Sequence, residues 1–314
     1  MADTNPIVSA LATYIENRDF PLIGAIQRSP LLTASEVTQT KGVKTQTKMH
    51  FMTTTLTMLD GAGCDRATPT DTTTFTDKLV TVSDIDFAEN LCLKRMEGTW
   101  LQTEMKVGAT VGIQEMPQAI ASIYWEEKGA LMTQILDTAD WQGDDDSVVE
   151  NLNKYDGWLK WITAGTAVEG NTGGLTFINE TNIIAALQGM WKVVPSNLRR
   201  KADLKICLPE EWYDYYCLAL WTLNRYDVKA TENEVYLAGT SVKLRPTYGL
   251  NGSNRMVLTY MANLGVAIDG DGDTELSARL DPSTLKRLLI DGAIKRGTQV
   301  GFVEDVVDFN LAAT

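Results

Sequence analysis

The stretch QAIASIYWEEKGALMTQILDTAD, residues 118–140, constrains the fold of this chain more than any other. It holds no proline and a single glycine, Gly129. At about 1.5 Å per residue it predicts a rod of roughly 35 Å. Apolar side chains recur at Ile120, Ile123, Tyr124, Leu131 and Ile135, with Trp125, Met132 and Leu136 beside them. That spacing makes one wide helical face. Pro117 suits the first helical position, where its missing N–H would be unsatisfied anyway. Gly143, just past Trp141, suits a left-handed stop. One long helix among segments that read as short strands and loops suits a spine with a sheet laid across it. Taken alone, the helix fits an ordinary core element better.

The N-terminal side reads as two extensions. Residues 6–17 carry Ile7, Leu11, Tyr14 and Ile15 at helical spacing, and Phe20-Pro21 and Ser29-Pro30 interrupt any continuation. Such a segment has too little apolar surface of its own to bury and needs a partner surface. Residues 41–86 are rich in threonine. MHFMTTTLTML (49–59) is strand-like, DGAGCDRATPT (60–70) is turn and loop, and FTDKLVTVSDIDF (75–87) alternates through Leu79 or Val80, Val82, Ile85 and Phe87. Together they predict a long β-hairpin. A two-stranded hairpin is marginal in water by itself, so it docks on its own domain or on something else, and the pattern favours neither. If the partner is another copy, the contact candidates are Leu11, Tyr14 and Ile15 in the arm and Met49, Phe51, Met52, Leu56, Phe75 and Leu79 in the hairpin.

The rest alternates helix and strand. A short helix is expected over 90–106, with a glycine-containing connector over 107–112 before the long helix. Residues 148–268 read as a second, mixed α/β unit. Its core segment is KYDGWLKWI (154–162), followed by a loop, VEGNTGG (168–174). Helices are expected over 179–195 and over 209–226, where Pro209 and two glutamates open the helix. VYLAG, TSVKLRP and residues 256–268 read as strands, with Asn251-Gly252 as a hairpin turn. Residues 285–309 read as strands broken at Gly297, laid across the spine.

Little here points to chemistry. Twenty-eight basic against 41 acidic residues give a net charge of -13, which does not suit a coat on nucleic acid. Met1 to Pro6 is polar with no apolar h-region after it, so no signal peptide is expected, and no apolar run is long enough to span a membrane. Cys64, Cys92, Cys207 and Cys217 form no C-x-x-C pair, and His50 is the one histidine. Zinc and histidine-based nucleophilic sites are therefore not expected, and the cysteines read as free thiols. GDDDS (143–147) fits a solvated loop or helix cap better than a cation site. DGDGD (269–273) opens like a calcium loop but has Thr274 where the glycine belongs and Leu280 where the glutamate belongs. The aromatic set Trp212, Tyr213, Tyr215, Tyr216 and Trp221 fits core packing better than a sugar platform. An acidic-site hydrolase or a glycan-binding module has no further support, so no catalytic residue, cofactor or metal is expected.

The layout of arm, long hairpin, spine helix, inserted α/β unit and returning strands resembles the major capsid protein of tailed phages, an α+β architecture known as the Hong Kong 97 (HK97-like) fold. Local sequence is most similar to capsid proteins of crAss-like phages. The similar segments are Asn90-Leu-Cys92 with Met96-Glu97 and Thr99-Trp100-Leu101-Gln102; Trp141-Gln-Gly-Asp144 with Tyr155-Asp-Gly157; Leu244-Arg-Pro246 with Tyr248-Gly249-Leu250 and Asn263-Leu264; and Lys295 through Gly297-Thr-Gln-Val300 with Val306-Val307. Each is short, and their order and spacing carry the likeness.

The resemblance implies an N-arm (1–43), an E-loop (44–86), a P-domain (87–147, with the spine helix 118–140), an A-domain (148–274) and returning P-domain strands (275–314). It implies a virion protein, assembled in the cytoplasm of a bacterial host. Homo-oligomeric hexamers and pentamers would close an icosahedral shell around double-stranded DNA, without sequence-specific binding and without a membrane. Portal, scaffold, decoration or head-completion proteins are its implied partners. A nanocompartment shell protein of the encapsulin type, enclosing a cargo enzyme, is the alternative on the same fold.

Overall fold

The computed structural model describes residues 36–58, 72–92, 118–201, 203–223, 235–269, 276–280 and 287–311. The predicted arm helix, with Leu11, Tyr14 and Ile15, lies outside the described residues, as do the loop over 60–70 and the connector over 107–112.

Threonine-rich sequence forms strands, as β-branched residues favour. These are β1 (Thr38–Thr40), β2 (Gln46–Thr54) and β3 (Thr73–Thr81), followed by β4 (Ser83–Cys92). The long helix, α1 (Gln118–Gln142), follows, then α2 (Trp158–Ala164), β5 (Val168–Glu169), α3 (Ile183–Val193), β6 (Leu204–Leu208) and α4 (Glu210–Thr222). The last strands are β7 (Val235–Tyr236), β8 (Lys243–Pro246), β9 (Arg255–Tyr260), β10 (Leu264–Ile268), β11 (Leu276–Leu280), β12 (Arg287–Val300) and β13 (Val307–Asn310).

Among the described residues the strands form two sheets and one ribbon. The 14-residue β12 is the axis of a five-stranded sheet. β4 runs antiparallel along its first ten residues, β11 pairs on the other edge, and β10 pairs with Leu264 opposite Val300 through Ile268 opposite Arg296. β1 joins β10 in parallel. A six-stranded mixed sheet, ordered β5-β13-β9-β6-β8-β7, carries α3 and α4 on its core. β2 and β3 form the separate hairpin, with Met52 directly opposite Phe75.

Several sequence expectations are corrected. Residues 90–92 end β4 rather than begin a helix, and residues 93–106 lie outside the described residues. The strand expected over 75–87 is two: the chain changes sheet at Val82, whose amide bonds Thr45 O. The strand expected over 256–268 is also two, because a 3-10 turn (Met261–Asn263) passes the chain from the six-stranded sheet to the five-stranded one. The loop over 168–174 begins with β5, paired to β13. β13 itself belongs to the six-stranded sheet and does not cross the spine. Asn251-Gly252 makes no hairpin, since β8 and β9 each pair with β6. Instead a 3-10 turn (Tyr248–Leu250) docks on α1, and Gln142 Nε2 donates to Gly249 O (2.6 Å) and Asn251 O (3.0 Å).

Three glycines have packing roles. Gly297 does not break β12; a Cβ there would lie 2.1 Å from Thr81 O, so glycine admits the hairpin base. Gly143 ends α1 without a left-handed conformation. A Cβ on it would lie 2.4 Å from both Ala139 O and Tyr155 O, which makes close approach the reason for glycine. A Cβ on Gly157 would in turn lie 2.6 Å from the Gly143 amide nitrogen.

Among its described side chains, α1 is most deeply buried in its C-terminal turns. Leu136, Ala139 and Trp141 are buried, whereas Leu131, expected on the same face, is 51% exposed. Trp141 packs edge-on to Trp158 at 4.9 Å, and Trp158 Nε1 donates to Gly265 O of β10 (3.1 Å). Two carboxylates that the apolar pattern conceals lie on this face, Asp137 and Asp140. Arg296 of β12, fully buried, donates to both oxygens of Asp140 (Nε–Oδ1 2.7 Å, Nη2–Oδ2 2.5 Å), and Tyr155 Oη donates to Oδ1 (2.7 Å). Asp137 Oδ2 accepts the Gly249 amide (2.8 Å) while its Oδ1 has no partner. Burial first, and the charge of Asp140 second, push the Asp137 carboxyl up to about 6 against the Gly249 hydrogen bond and the charges of Arg296 and Arg245.

Two outcomes are expected. Arg296→Met strands a buried carboxylate and should cost about 3–5 kcal/mol in chemical denaturation, while Asp140→Leu/Arg296→Met should recover most of it; a double variant as damaged as the single one refutes the pair as the linchpin. Asp137 binds its proton more tightly folded than unfolded. Its contribution is therefore present in full below about pH 4 and is lost as pH rises through about 6, by about 3 kcal/mol. Asp137→Asn keeps the acceptor and should flatten that part of the stability–pH curve in urea titrations; an unchanged slope refutes the assignment.

Candidate assembly surface

The side chains of β2 and β3 divide by the period of two. One face turns to the body of the protein. Met49 on it reaches the space beside Gly265, and Phe51 meets Phe302 edge-on at 5.1 Å. Val80 is buried, and Lys78 Nζ donates to Val300 O (3.1 Å). The ribbon base is tied further by Gln299 Nε2 donating to Leu79 O (2.9 Å). β12 serves both sides. Ile294, Arg296, Thr298 and Val300 alternate toward the helix and core, and Gly297 and Gln299 toward the hairpin.

The other face turns outward, where alternation normally places polar groups. It carries Met52 (60% exposed) directly opposite Phe75 (75%), with Leu79 further down. Leu56 (85%) and Met58 lie beyond the paired residues. His50 and Asp77 pair across the same face at 2.6 Å, and Lys48 lies 3.6 Å from Asp77. The six hairpin residues named from sequence thus separate: Met52, Leu56, Phe75 and Leu79 are exposed, while Met49 and Phe51 are half-buried against their own chain. Met58 was missed, although it stands two residues past Leu56 in the same strand-like run.

The other chemical candidates resolve into packing. Lys160 Nζ lies 2.7 Å from Asp144, 2.6 Å from Asp156 and 3.3 Å from Asp146, and also contacts Asp145. Its hydrogen bond to Asp144, then those to Asp145 and Asp156, raise its own pKa, and Lys160 holds Asp144 and Asp145 below the usual carboxylate range. The oxygens of Asp144, Asp145 and Asp156 are close enough for a cation, but an ammonium already stands among them. Asp269 pairs with Lys44 at 3.1 Å, and residues 270–273 lie outside the described residues. Of the aromatic set on α4, Trp212 and Tyr216 are core and Trp221 is 64% exposed, so they share no platform. Cys207 is buried and its thiol is pushed up to about 12 by desolvation, which suits no nucleophile.

The two hairpin faces should respond differently. Phe75→Ser should change the stability of the isolated chain by less than about 1 kcal/mol, because its side chain touches mainly solvent. Phe51→Ala should cost about 2 kcal/mol through the lost contact with Phe302. Thermal denaturation of both variants checks this, and equal losses would contradict the two-faced ribbon.

No protein-family model matches the sequence, and no curated protein matches it. Solved structures do. A chain of the satellite phage P4 procapsid that includes the size determination (Sid) protein superposes with a TM-score of 0.57 at 11% identity, covering 92% of this chain and 89% of that one. The capsid of Myoviridae phage XM1 gives 0.53 at 10% identity, with 88% and 90% covered. A structure from Mycobacterium phage Adephagia gives 0.52 at 12% identity, with 90% and 89% covered. Agreement over nearly the whole length is agreement in architecture: this chain has the fold of phage capsid proteins.

Proposed function

We propose that this chain is the major capsid protein of a tailed phage, built on the HK97-like plan. It assembles into hexamers and pentamers that close an icosahedral shell around double-stranded DNA. The observation that carries this reading is the hairpin, which spends its outward face on Met52, Phe75 and Leu79 while standing on a phage-capsid fold. An exposed apolar pair such as Met52 and Phe75 on an extension favours a partner, and in a closed shell the partner is another copy. In this reading residues 1–43 are the N-arm and 44–86 the E-loop that straps a neighbour. Residues 87–147 with 275–314 form the P-domain, and 148–274 the A-domain.

The physics suits the role. Each subunit contributes many modest contacts, and burial at neighbours offsets the cost of ordering an arm and a ribbon. A net charge of -13 favours a wall along which packaged DNA moves rather than sticks. The protein then resides in the virion, with assembly in the host cytoplasm. A portal, together with scaffold, decoration or head-completion proteins, supplies what one chain type does not.

The test shortens the ribbon without touching its base. Phe51 and Thr76 are cross-strand partners, so residues 52–75 can be replaced by an Asn-Gly turn between them. The shortened chain should stay folded by circular dichroism and fail to form closed particles in negative-stain micrographs. Closed particles of wild-type size from the shortened chain would overturn the strap.

A further inference from the structure

We infer that the outer face of α4 is one half of a head-to-tail contact between neighbouring copies, and that its other half is the basic end of α3 on the next copy. The inference rests on the shell reading above and names the surfaces that close its rings.

The outer stripe of α4 runs Glu211, Asp214, Leu218 and Trp221, at i, i+3, i+7 and i+10, so all four share one side of the helix. All four are exposed, and Leu223 continues the apolar end past the last turn. The opposite stripe, Trp212, Tyr216, Ala219 and Leu220, is already buried against the six-stranded sheet. The helix is therefore apolar on both sides at its C-terminal end, and only the inner side has a partner among the described residues. The outer side is acidic at its start and ends in an exposed tryptophan, the residue type most enriched at the centres of protein interfaces.

The complementary charge lies at the end of the neighbouring helix, α3. α3 and α4 lie side by side on the sheet, with α4 against β8, next to the β7 edge, and α3 against β13, next to the β5 edge. Lys192 in the last turn of α3, and Arg199 and Arg200 in the 3-10 turn after it, are exposed. Arg199 is held in place by bonds to the carbonyls of Val194, Trp191 and Lys192 and stacks over the Trp191 ring at 5.2 Å. Lys192 and Arg200 form no ion pair among the described residues. Among the described residues, Glu211 and Asp214 of the α4 stripe form no ion pair with Lys192, Arg199 or Arg200 of the same copy. Repeated head to tail, they meet, which is the heterologous geometry that closes rings.

The test uses the full-length chain under assembly conditions. Trp221→Glu and Lys192→Glu/Arg200→Glu should each keep the wild-type melting temperature, because the changed side chains are exposed, and should lower the yield of rings and particles at least tenfold by native mass spectrometry and negative-stain microscopy. Adding Glu211→Lys/Asp214→Lys to the Lys192→Glu/Arg200→Glu chain reverses both halves together and should restore assembly. Wild-type yields from the single-sided variants, or no rescue by the two-sided reversal, overturn the contact. A wild-type chain that stays monomeric at every concentration overturns the shell reading itself, which the variants alone would not.

Discussion

The buried pair of Asp140 and Arg296 joins two elements 156 positions apart in sequence, the long helix and the axial strand β12. Both side chains are excluded from water. Such a pair is tolerated only when geometry is good and the remaining hydrogen-bonding capacity is satisfied, and the two-point contact with Tyr155 as third member meets that demand. Its worth lies less in net stability than in position. A helix held by apolar contacts alone can slide; one held by a two-point charged contact has one register against the sheet. The close approach is made possible by glycines at 143, 157 and 249, each of which stands where a Cβ would strike backbone.

From that junction the placement of the hairpin follows. β12 shows Arg296 to the helix and Gly297 and Gln299 to the ribbon, so the strand that locates the spine also locates the base of the hairpin. Half of the ribbon's apolar residues are spent on this anchorage, Met49, Phe51 and Val80 among them. The remainder face outward, uncovered by the described residues. A strap needs both: a fixed root, so that its tip arrives at a defined place, and an uncommitted face to meet what it finds there. Asn263 performs a similar service between the two sheets. Its side chain donates to Phe302 O and accepts the Phe302 amide, at the point where the chain passes from one sheet to the other.

Much of this was legible in the residues. The helix over 118–140 and the hairpin were visible because long, regular patterns outweigh local noise, and the order of elements together with short local matches carried the resemblance to tailed-phage capsid proteins. The errors share a cause. Where one strand was expected over 75–87, and again over 256–268, the chain changes sheet without a break in its apolar alternation, so pattern alone cannot locate the change. The glycine at 297 looked like punctuation and is a docking point. The division of Met49 and Phe51 from Met52 and Phe75 was likewise invisible, since alternation shows that two faces exist but not which one meets the body.

The sequence by itself determined the local elements, the acidic balance and the scarcity of catalytic groups, because these depend on propensity, periodicity and composition within short windows. Only the tertiary structure decided that Asp137 and Asp140 are core residues, that three aspartates of the turn after the spine share Lys160, and which side of the ribbon and of α4 is left uncovered. Those outcomes depend on groups 14 to 156 positions apart meeting in space, and burial, pairing and exposure are properties of that meeting rather than of any one stretch.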